Sequence, residues 1–533
     1  MSSRKILVIA VLVAAVVLVG LRFLEPVHPR FDSGAYVIAA KSIAEGEGLR
    51  HLAHPEQPPF TTYPPVIPSL LGPFATFAKE GFVGLKIGVA LFFLLIVAVF
   101  LVGFSLFLPE NQRIYGALIL ISGSLLAFAG RIQGEVPFAF MALMALVFAH
   151  LFLTRLTWSA LVGMIVSMAL LANMRQAGIA WAAGALAAMF FAPFRASKEK
   201  RELVMRIVAV VLIVAVVIIP WLFILESIQP GAVSPGKSSV LRADGWDPEK
   251  GRISLVSRAM IGRLKMNLFN SAVYAPESFF FQYNLSKHGW VRVLLVPIFL
   301  VMLIGYLWRF VRERSVAEWI TAAYCGLIMI TPWLEEPRFF TVILPLLILY
   351  LYEGIRGISV GAAMVHDRIV HGDFYHARKL VGEPAVTAEE IEQEQPRWAP
   401  LIFMVFCTVV FAANLAFVIA DDHRNPWSAV DHPDYELAKW AKDKIPEGAV
   451  VLAHDSSAFY LNTGRHSLSF TASEQKYLPQ YKLEPYLARG GRIDYIAWVA
   501  GDDELVKRFL KQHGLSTEPV AENARFRLHK IKK

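Results

Sequence analysis

Charged side chains are scarce in this sequence: Asp, Glu, Lys and Arg make up 18% of the 533 residues, while apolar residues make up 56%. Soluble domains carry about 25% charged residues, so an ordinary water-soluble body is excluded. Cysteine is nearly absent. Its two copies, Cys325 and Cys407, fall inside apolar stretches, which excludes a disulfide framework outside the membrane and gives no sign of redox chemistry. No His, Cys and carboxylate cluster stands at a spacing diagnostic of a metal site. Internal repeats strong enough to argue for a pseudo-symmetric transporter are also missing. The net charge of +9 is dispersed in short segments between apolar runs instead of forming one basic module, which argues against nucleic acid as a partner.

What the chain has in quantity is apolar sequence, with a mean hydropathy of +0.50. A hydrocarbon core about 30 Å thick needs roughly 20 apolar helical residues. Eleven stretches answer that description, near 6–24, 84–108, 114–130, 137–153, 158–173, 176–193, 207–226, 290–308, 316–333, 339–354 and 399–420. The fold class is therefore an all-α polytopic membrane protein. Arg4 and Lys5 precede the first span and no small-x-small cleavage site follows it, so it reads as a retained signal anchor with a cytoplasmic N-terminus. Eleven crossings then put Arg113, Arg155, the Arg195–Arg201 run, the trio Arg309, Arg312 and Arg314, and the 355–398 linker in the cytoplasm. Short cytoplasmic loops are enriched in Lys and Arg, and this arrangement satisfies that rule.

Three segments are left outside the spans: an outer loop at 25–83, an outer loop at 227–289 and the tail from 421 to 533. The domain reading is a membrane body over 1–420 and an extracytoplasmic α/β domain over 421–533. In the tail, helices at Tyr435–Asp443, at Glu474–Leu487 and at Asp503–His513 alternate with strands at Ala449–Ala453, near Leu468, at Tyr495–Val499 and near Arg525–His529, and a short helix ends at Gly464. That alternation predicts a small α/β module. The implied location is the plasma (inner) membrane, with many passes and membrane lipids as neighbours.

The first outer loop opens with Phe31-Asp32-Ser33-Gly34-Ala35-Tyr36, followed by Ala39, Ala40 and Ile43 and closed by Gly46-Glu47-Gly48. Tyr36, Ala39, Ala40 and Ile43 share one helical face, which predicts a short helix lying at the membrane surface with Asp32 as its N-cap. Asp32 has two readings: it caps this helix by accepting a backbone N–H, or it takes a proton from an acceptor hydroxyl at the water–lipid boundary. Further on, Thr62-Tyr63-Pro64-Pro65 leads into an apolar run too short to span, so a rigid loop with a re-entrant or surface-lying piece is expected.

This pattern resembles the GT-C superfamily of integral-membrane glycosyltransferases, in particular bacterial relatives of protein O-mannosyltransferases, aminoarabinose transferases and lipid A galacturonosyltransferases. The resemblance rests on the outer Asp, the Tyr-Ala helix with its Gly-x-Gly end, the Tyr-Pro-Pro and the proline-interrupted apolar run. It implies a helical body with interfacial helices and a cavity open to the outer side. It also implies activity on a polyprenyl-phosphate-linked sugar donor, with a lipid, glycan or protein hydroxyl as acceptor. Some members of the superfamily use a divalent cation. No other cofactor is expected.

Further charges lie at outer ends of spans. Arg131-Ile-Gln133-Gly134-Glu135-Val-Pro137 forms one outer turn, and an ionisable group at the depth of Glu135 is usually paired or used. Arg175 stands in a turn so short that it must sit near the membrane surface, where it either snorkels or, as the resemblance implies, contacts the donor. In Glu335-Glu336-Pro337-Arg338-Phe339-Phe340 three charges abut a span. Arg338 either pairs with a Glu to lock helices or offers its planar fork to phosphate oxygens. On this likeness Asp32 is the catalytic candidate, and Tyr36, Tyr63, Arg131, Glu135, Arg175, Glu335, Glu336 and Arg338 are the substrate-binding candidates. The 227–289 loop mixes Arg258, Arg263 and Lys265 with Tyr274 and Phe279–Phe281, which suits either closure over a polyprenyl phosphate or surface packing.

A departing phosphate needs positive charge more than a proton donor, and a hydroxyl nucleophile benefits from a base on the opposite face. One base and no covalent intermediate predict an inverting transfer. This chain departs from the relatives' patterns at Asp32-Ser33 and Thr62-Tyr63, which leaves the donor sugar open. The rival reading is a membrane transporter or lipid flippase with an outward-facing polar cavity. It would place ionisable groups near the bilayer midplane, where these spans carry none.

Overall fold

The computed structural model of the chain describes residues 3–23, 29, 31–60, 63–77, 82–175, 177–193, 199–228, 252–281, 285, 288–331, 337–371, 398–420, 433–471 and 483–532. The body begins with α1 (Ser3–Phe23), α2 (Phe31–Ala44), α3 (Val66–Ala75) and α4 (Val83–Gly103). It continues through α5 (Glu110–Ser122), α6 (Ser124–Ala129), α7 (Glu135–Arg155), α8 (Trp158–Ala172) and α9 (Gly178–Phe191). A π-helical stretch at Ile213–Ile218 joins α10 (Glu199–Leu212) to α11 (Ile219–Ile228). Then come α12 (Arg252–Glu277), α13 (Gly289–Arg312), α14 (Val316–Ile330), the single turn α15 (Arg338–Thr341) and α16 (Leu344–His371), and the body closes with the Trp398–Ala420 helix.

Seven of the described helices are long and apolar enough to cross a membrane, against the eleven expected from composition. The difference is one of length. Helices α8, α9 and α14 have 15, 14 and 15 residues, about 22 Å of rise at 1.5 Å per residue, less than the hydrocarbon thickness. The span expected at 114–130 is broken at Gly123 into α5 and α6. Segment 227–289 is not all loop, since its second half is the 26-residue α12, and α16 runs on to His371 into the expected cytoplasmic linker.

Small residues let these helices approach closely, as is common where no water drives helices together. A Cβ on Gly305 of α13 would stand 1.9 Å from the Tyr350 carbonyl oxygen of α16, and one on Gly184 of α9 would stand 2.4 Å from Ile320 Cα of α14. One turn along from the Gly305 contact, buried Arg309 pairs with Glu318 at 2.8 Å and Glu353 at 3.7 Å, tying α13, α14 and α16 together. Glu318 also closes a capping box with Ser315, satisfying the first N–H groups of α14.

The C-terminal module is a five-stranded sheet in the order β2-β1-β3-β5-β4, with β1 (Val451–Ala453), β2 (Ser467–Ser469), β3 (Tyr495–Val499), β4 (Ser516–Glu522) and β5 (Phe526–Lys532). Strand β1 runs parallel to β2 and β3, and β5 runs antiparallel to β3 and β4. The Ser456–Thr463 helix ends on Gly464 at φ +71°, the left-handed cap that glycine accepts without strain. The expected α/β module is present, with β4 as an unforeseen edge strand carrying Pro519 beside a register shift.

Helix α2 corrects two expectations. It starts at Phe31, so Asp32 lies within its first turn and is not the N-cap. It is also covered by protein on both sides, where one apolar face was expected. Tyr36, Val37 and Ala40 pack into the helical body, while Ile38 joins Leu52, Leu468 and Ile496 in the core of the module. The module grips this region directly. The Ser467 N–H donates to the Ala53 carbonyl at 2.8 Å, His466 Nδ1 meets the Leu52 carbonyl at 3.1 Å, and Arg489 pairs with Glu56 at 2.5 Å.

Candidate functional site

Glu135 is the first residue of α7, where the partial positive charge of a helix start favours a carboxylate. It is 3% exposed, and Arg175 Nη1 donates to its Oε1 at 2.8 Å. Arg338 also lies within electrostatic reach of Glu135. The turn between α8 and α9, the start of α7 and the one-turn α15 therefore bring three residues that are far apart in sequence to one place. A carboxylate buried with one guanidinium in contact and a second close by fixes both cations where an anionic group could meet them.

The first loop closes on the same spot. A Cβ on Gly134 would stand 2.6 Å from Ile67 Cδ1 and 3.5 Å from the Tyr36 hydroxyl, so α2 and α3 both press on the residue preceding Glu135. The Tyr36 and Tyr63 rings lie 5.0 Å apart, and the Val66 N–H points to the Asn173 carbonyl at 3.4 Å, linking the Tyr-Pro-Pro segment to the Arg175 turn. Tyr36, Tyr63, Glu135, Arg175 and Arg338 are thus neighbours at one end of the helical body. Arg131 stands on the turn before α7, half-buried, with its guanidinium 5.5 Å from the centre of the Phe128 ring. The Asp32 side chain and all of Glu335 and Glu336 lie outside the described residues.

Sequence reasoning missed several polar groups hidden inside apolar spans. Tyr324 of α14 donates to the Phe339 carbonyl at 2.8 Å, anchoring α15, and it lies within electrostatic range of Arg175 and Glu135. Lys86 of α4 is buried and donates to the Phe23 carbonyl at 2.7 Å. Arg22 of α1 is buried with its guanidinium 4.8 Å from the centre of the Phe281 ring. The available signal was a lone cation within apolar sequence, which is costly and therefore usually paired or used. Among the described residues no group of three or more His, Cys, Asp or Glu is placed to hold a metal ion.

Outside the helical body, the contact between module and loop contains two buried histidines. Burial pushes the pKa of His51 down to about 3, helped by the neighbouring His54. Burial also pushes that of His54 down to about 4, against the opposing pull of Glu56. On the module, the hydrogen bond to Asp434 raises the pKa of His454.

The chain is a multi-pass helical membrane protein with the GT-C fold, the architecture of the solved glycosyltransferases that it matches. ArnT from Cupriavidus metallidurans bound to undecaprenyl phosphate matches 99% of this chain and 98% of its own, at TM-score 0.62 and 13% sequence identity. Its apo form matches 98% and 97% at TM-score 0.61 and the same identity. The archaeal oligosaccharyltransferase AglB from Archaeoglobus fulgidus, in complex with an inhibitory peptide and a dolichol-phosphate, matches 94% of this chain and 70% of its own at TM-score 0.54 and 13% identity. No protein-family model matches the sequence, and no curated protein does. At such identity what is shared is the fold, and the roles of side chains rest on their geometry here.

Proposed function

We propose that this protein is an inverting glycosyltransferase that moves a sugar from a polyprenyl-phosphate-linked donor to a hydroxyl acceptor at the outer face of the plasma membrane. The observation that carries the reading is the convergence of Arg175 and Arg338 on buried Glu135 at the end of the body where α2 packs. The fold likeness to ArnT and AglB, solved with undecaprenyl phosphate and with dolichol-phosphate respectively, supports a polyprenyl donor.

In the proposed reaction the acceptor hydroxyl attacks the anomeric carbon while Asp32 takes its proton. The bond between the anomeric carbon and the phosphate oxygen breaks with both electrons going to oxygen, and the polyprenyl phosphate leaves as an anion. Arg175 and Arg338 stabilise the charge that develops there. Glu135 holds Arg175 in place and keeps the local charge from trapping the product. Attack opposite the leaving group inverts the anomeric configuration. Tyr36 and Tyr63, whose rings lie 5.0 Å apart beside Gly134, contact the substrates, and Arg131 is a further candidate contact.

The test is transfer of radiolabelled sugar from polyprenyl-phosphate donors to membrane-extracted acceptors by the intact protein and by Asp32→Asn, with and without a chelator. Transfer by the intact protein and its loss in the variant are expected. Equal transfer by both removes Asp32 as the base. No transfer from any donor, together with substrate-coupled uptake in liposomes, replaces the enzyme by a transporter.

A further inference from the structure

The helix that bears Arg338 is a single turn of four residues, too short to hold its own geometry because helix nucleation is unfavourable without outside contacts. Something else must fix it. On one side the Tyr324 hydroxyl donates to the Phe339 carbonyl. On the other side the Thr341 hydroxyl lies 2.8 Å from the Ser124 hydroxyl, and Ser124 Oγ lies 2.8 Å from the Ser278 carbonyl at the exit of α12. A hydroxyl has one proton to give, and the carbonyl can only accept. Two arrangements satisfy these atoms: Thr341 donates to Ser124 and Ser124 to the Ser278 carbonyl, or Ser124 donates to Thr341 and Thr341 to the Pro337 carbonyl at 3.4 Å. In either, the Ser278 carbonyl also accepts from the Ser124 N–H at 3.2 Å, and Thr341 and Ser124 stay joined.

The backbone makes this relay possible. Helices α5 and α6 break at Gly123, where a Cβ would stand 2.8 Å from the Phe279 carbonyl oxygen and 3.1 Å from that of Ser278. Only glycine lets the α12 exit come so near, and the serines on either side of it make the contacts. Ser124 binds as described, while Ser122 accepts from the Asn414 amide at 3.1 Å. Asn414 also donates to the Phe279 carbonyl at 2.8 Å and accepts from the Phe281 N–H at 2.9 Å. Ser122, Ser124, Ser278, Thr341 and Asn414 are each at most 3% exposed. With no water competing, each hydrogen bond holds firmly, and a lost partner leaves a buried polar group unmet.

We infer that Ser124 and Thr341 are positioning residues that hold Arg338 in register with Glu135 by fastening its one-turn helix to the α5–α6 break and the α12 exit. The inference rests on the reading of Arg338 as a phosphate contact. Neither hydroxyl touches substrate. Their work is to preorganise a guanidinium on a turn that would otherwise be fastened from the Tyr324 side and not from the α5–α6 side.

The test measures kcat and KM for the polyprenyl-phosphate sugar donor with the full chain in nanodiscs. Thr341→Val, which keeps shape and removes the hydroxyl, is compared with Thr341→Ser, which keeps the hydroxyl, and with Ser124→Ala. Each is made alone and together with Arg338→Lys. Thr341→Val and Ser124→Ala are expected to lower kcat/KM for the donor about tenfold, in kcat as well as KM because Arg338 meets both the bound phosphate and the charge that develops on it, and Thr341→Ser to stay near the intact protein. In the Arg338→Lys background, whose own donor KM is already raised, the same substitutions add little, because the group they position is gone.

Equal losses in both backgrounds, or no loss from Thr341→Val, overturn the positioning role while leaving Arg338 as a phosphate contact. An unchanged donor KM in Arg338→Lys itself overturns the contact and the inference with it.

Discussion

Replacing Gly34 with Ala asks whether the C-terminal module sets the position of the helix that carries Asp32. Gly34 lies two residues beyond Asp32 on α2, and a Cβ there would stand 2.7 Å from Ser457 Cβ in the module. Two carbons need roughly 3.5–4.0 Å, so the contact falls short by about 1 Å and one of the two helices has to move. Ser457 is fully buried, and the obstructing atom is a Cβ fixed to a helix, with no rotamer by which to swing aside. Overpacking of this kind costs about 1–3 kcal/mol, and Ala recovers roughly 1 kcal/mol over Gly inside a helix, so the net loss of stability is small. Catalysis is far more sensitive, since a misplacement of 1 Å costs on the order of 100-fold. Gly34→Ala is therefore expected to lower kcat by about one to two orders of magnitude while its thermal unfolding midpoint hardly moves. Adding Ser457→Gly deletes the obstructing Cβ and should restore most of the rate. Radiolabelled sugar transfer and thermal unfolding, measured on the same detergent-solubilised preparations, read both quantities. Full activity in Gly34→Ala, or a loss that Ser457→Gly leaves untouched, would refute the idea that the module positions α2.

Three further outcomes follow from the geometry. Arg175→Met leaves the Glu135 carboxylate buried without its contacting cation and should cost about 3–5 kcal/mol, less whatever Arg338 compensates. Glu135→Gln in the same chain should recover stability without recovering transfer, and denaturation alongside the transfer assay separates the two. In the cytoplasm-facing network expected from the charge distribution, Arg309→Met leaves Glu318 with only its Ser315 hydrogen bonds and Glu353 with Arg356 at 3.5 Å, and should lower stability by less than the ~3–5 kcal/mol of a fully stranded charge, read as a drop in the thermal midpoint. His51 and His54 titrate at about 3 and about 4 when docked, against about 6.5 when exposed. The undocked state thus binds more protons at mildly acid pH, so docking is fully stable above pH 6.5 and weakens as pH falls through the depressed values. Hydrogen exchange at residues 51–54 and 466–467 should accelerate on acidification, and replacing both histidines with Gln should flatten that dependence.

Much of the helical body is legible in the sequence, because a run of apolar residues long enough to cross hydrocarbon declares itself locally. The charges flanking those runs were equally plain, and Glu135, Arg175 and Arg338 stand out as ionisable groups beside apolar spans. In the module, Tyr495–Val499 was read as a strand from its β-rich composition, and Gly464 as the end of a helix. Strand β4 was invisible because Ser-Thr-Glu-Pro-Val-Ala-Glu contains a proline and shows no clean alternation; pairing with β5 is what makes it a strand. The buried setting of α2 was equally unreadable, since the module that covers its outward face begins some 400 residues later in the chain.

Sequence alone determined that this chain lives in a bilayer, roughly where its helices begin and end, and which charges sit at their ends. Tertiary structure alone decided that Arg175 meets Glu135, that Tyr36 and Ile67 close on Gly134, and that Ser124 reaches Thr341 across the Gly123 break. Hydrophobic length and helix periodicity are properties of neighbouring residues. The partner of a buried polar group, in contrast, is set by packing between segments from 40 to more than 200 residues apart, and no local pattern encodes it.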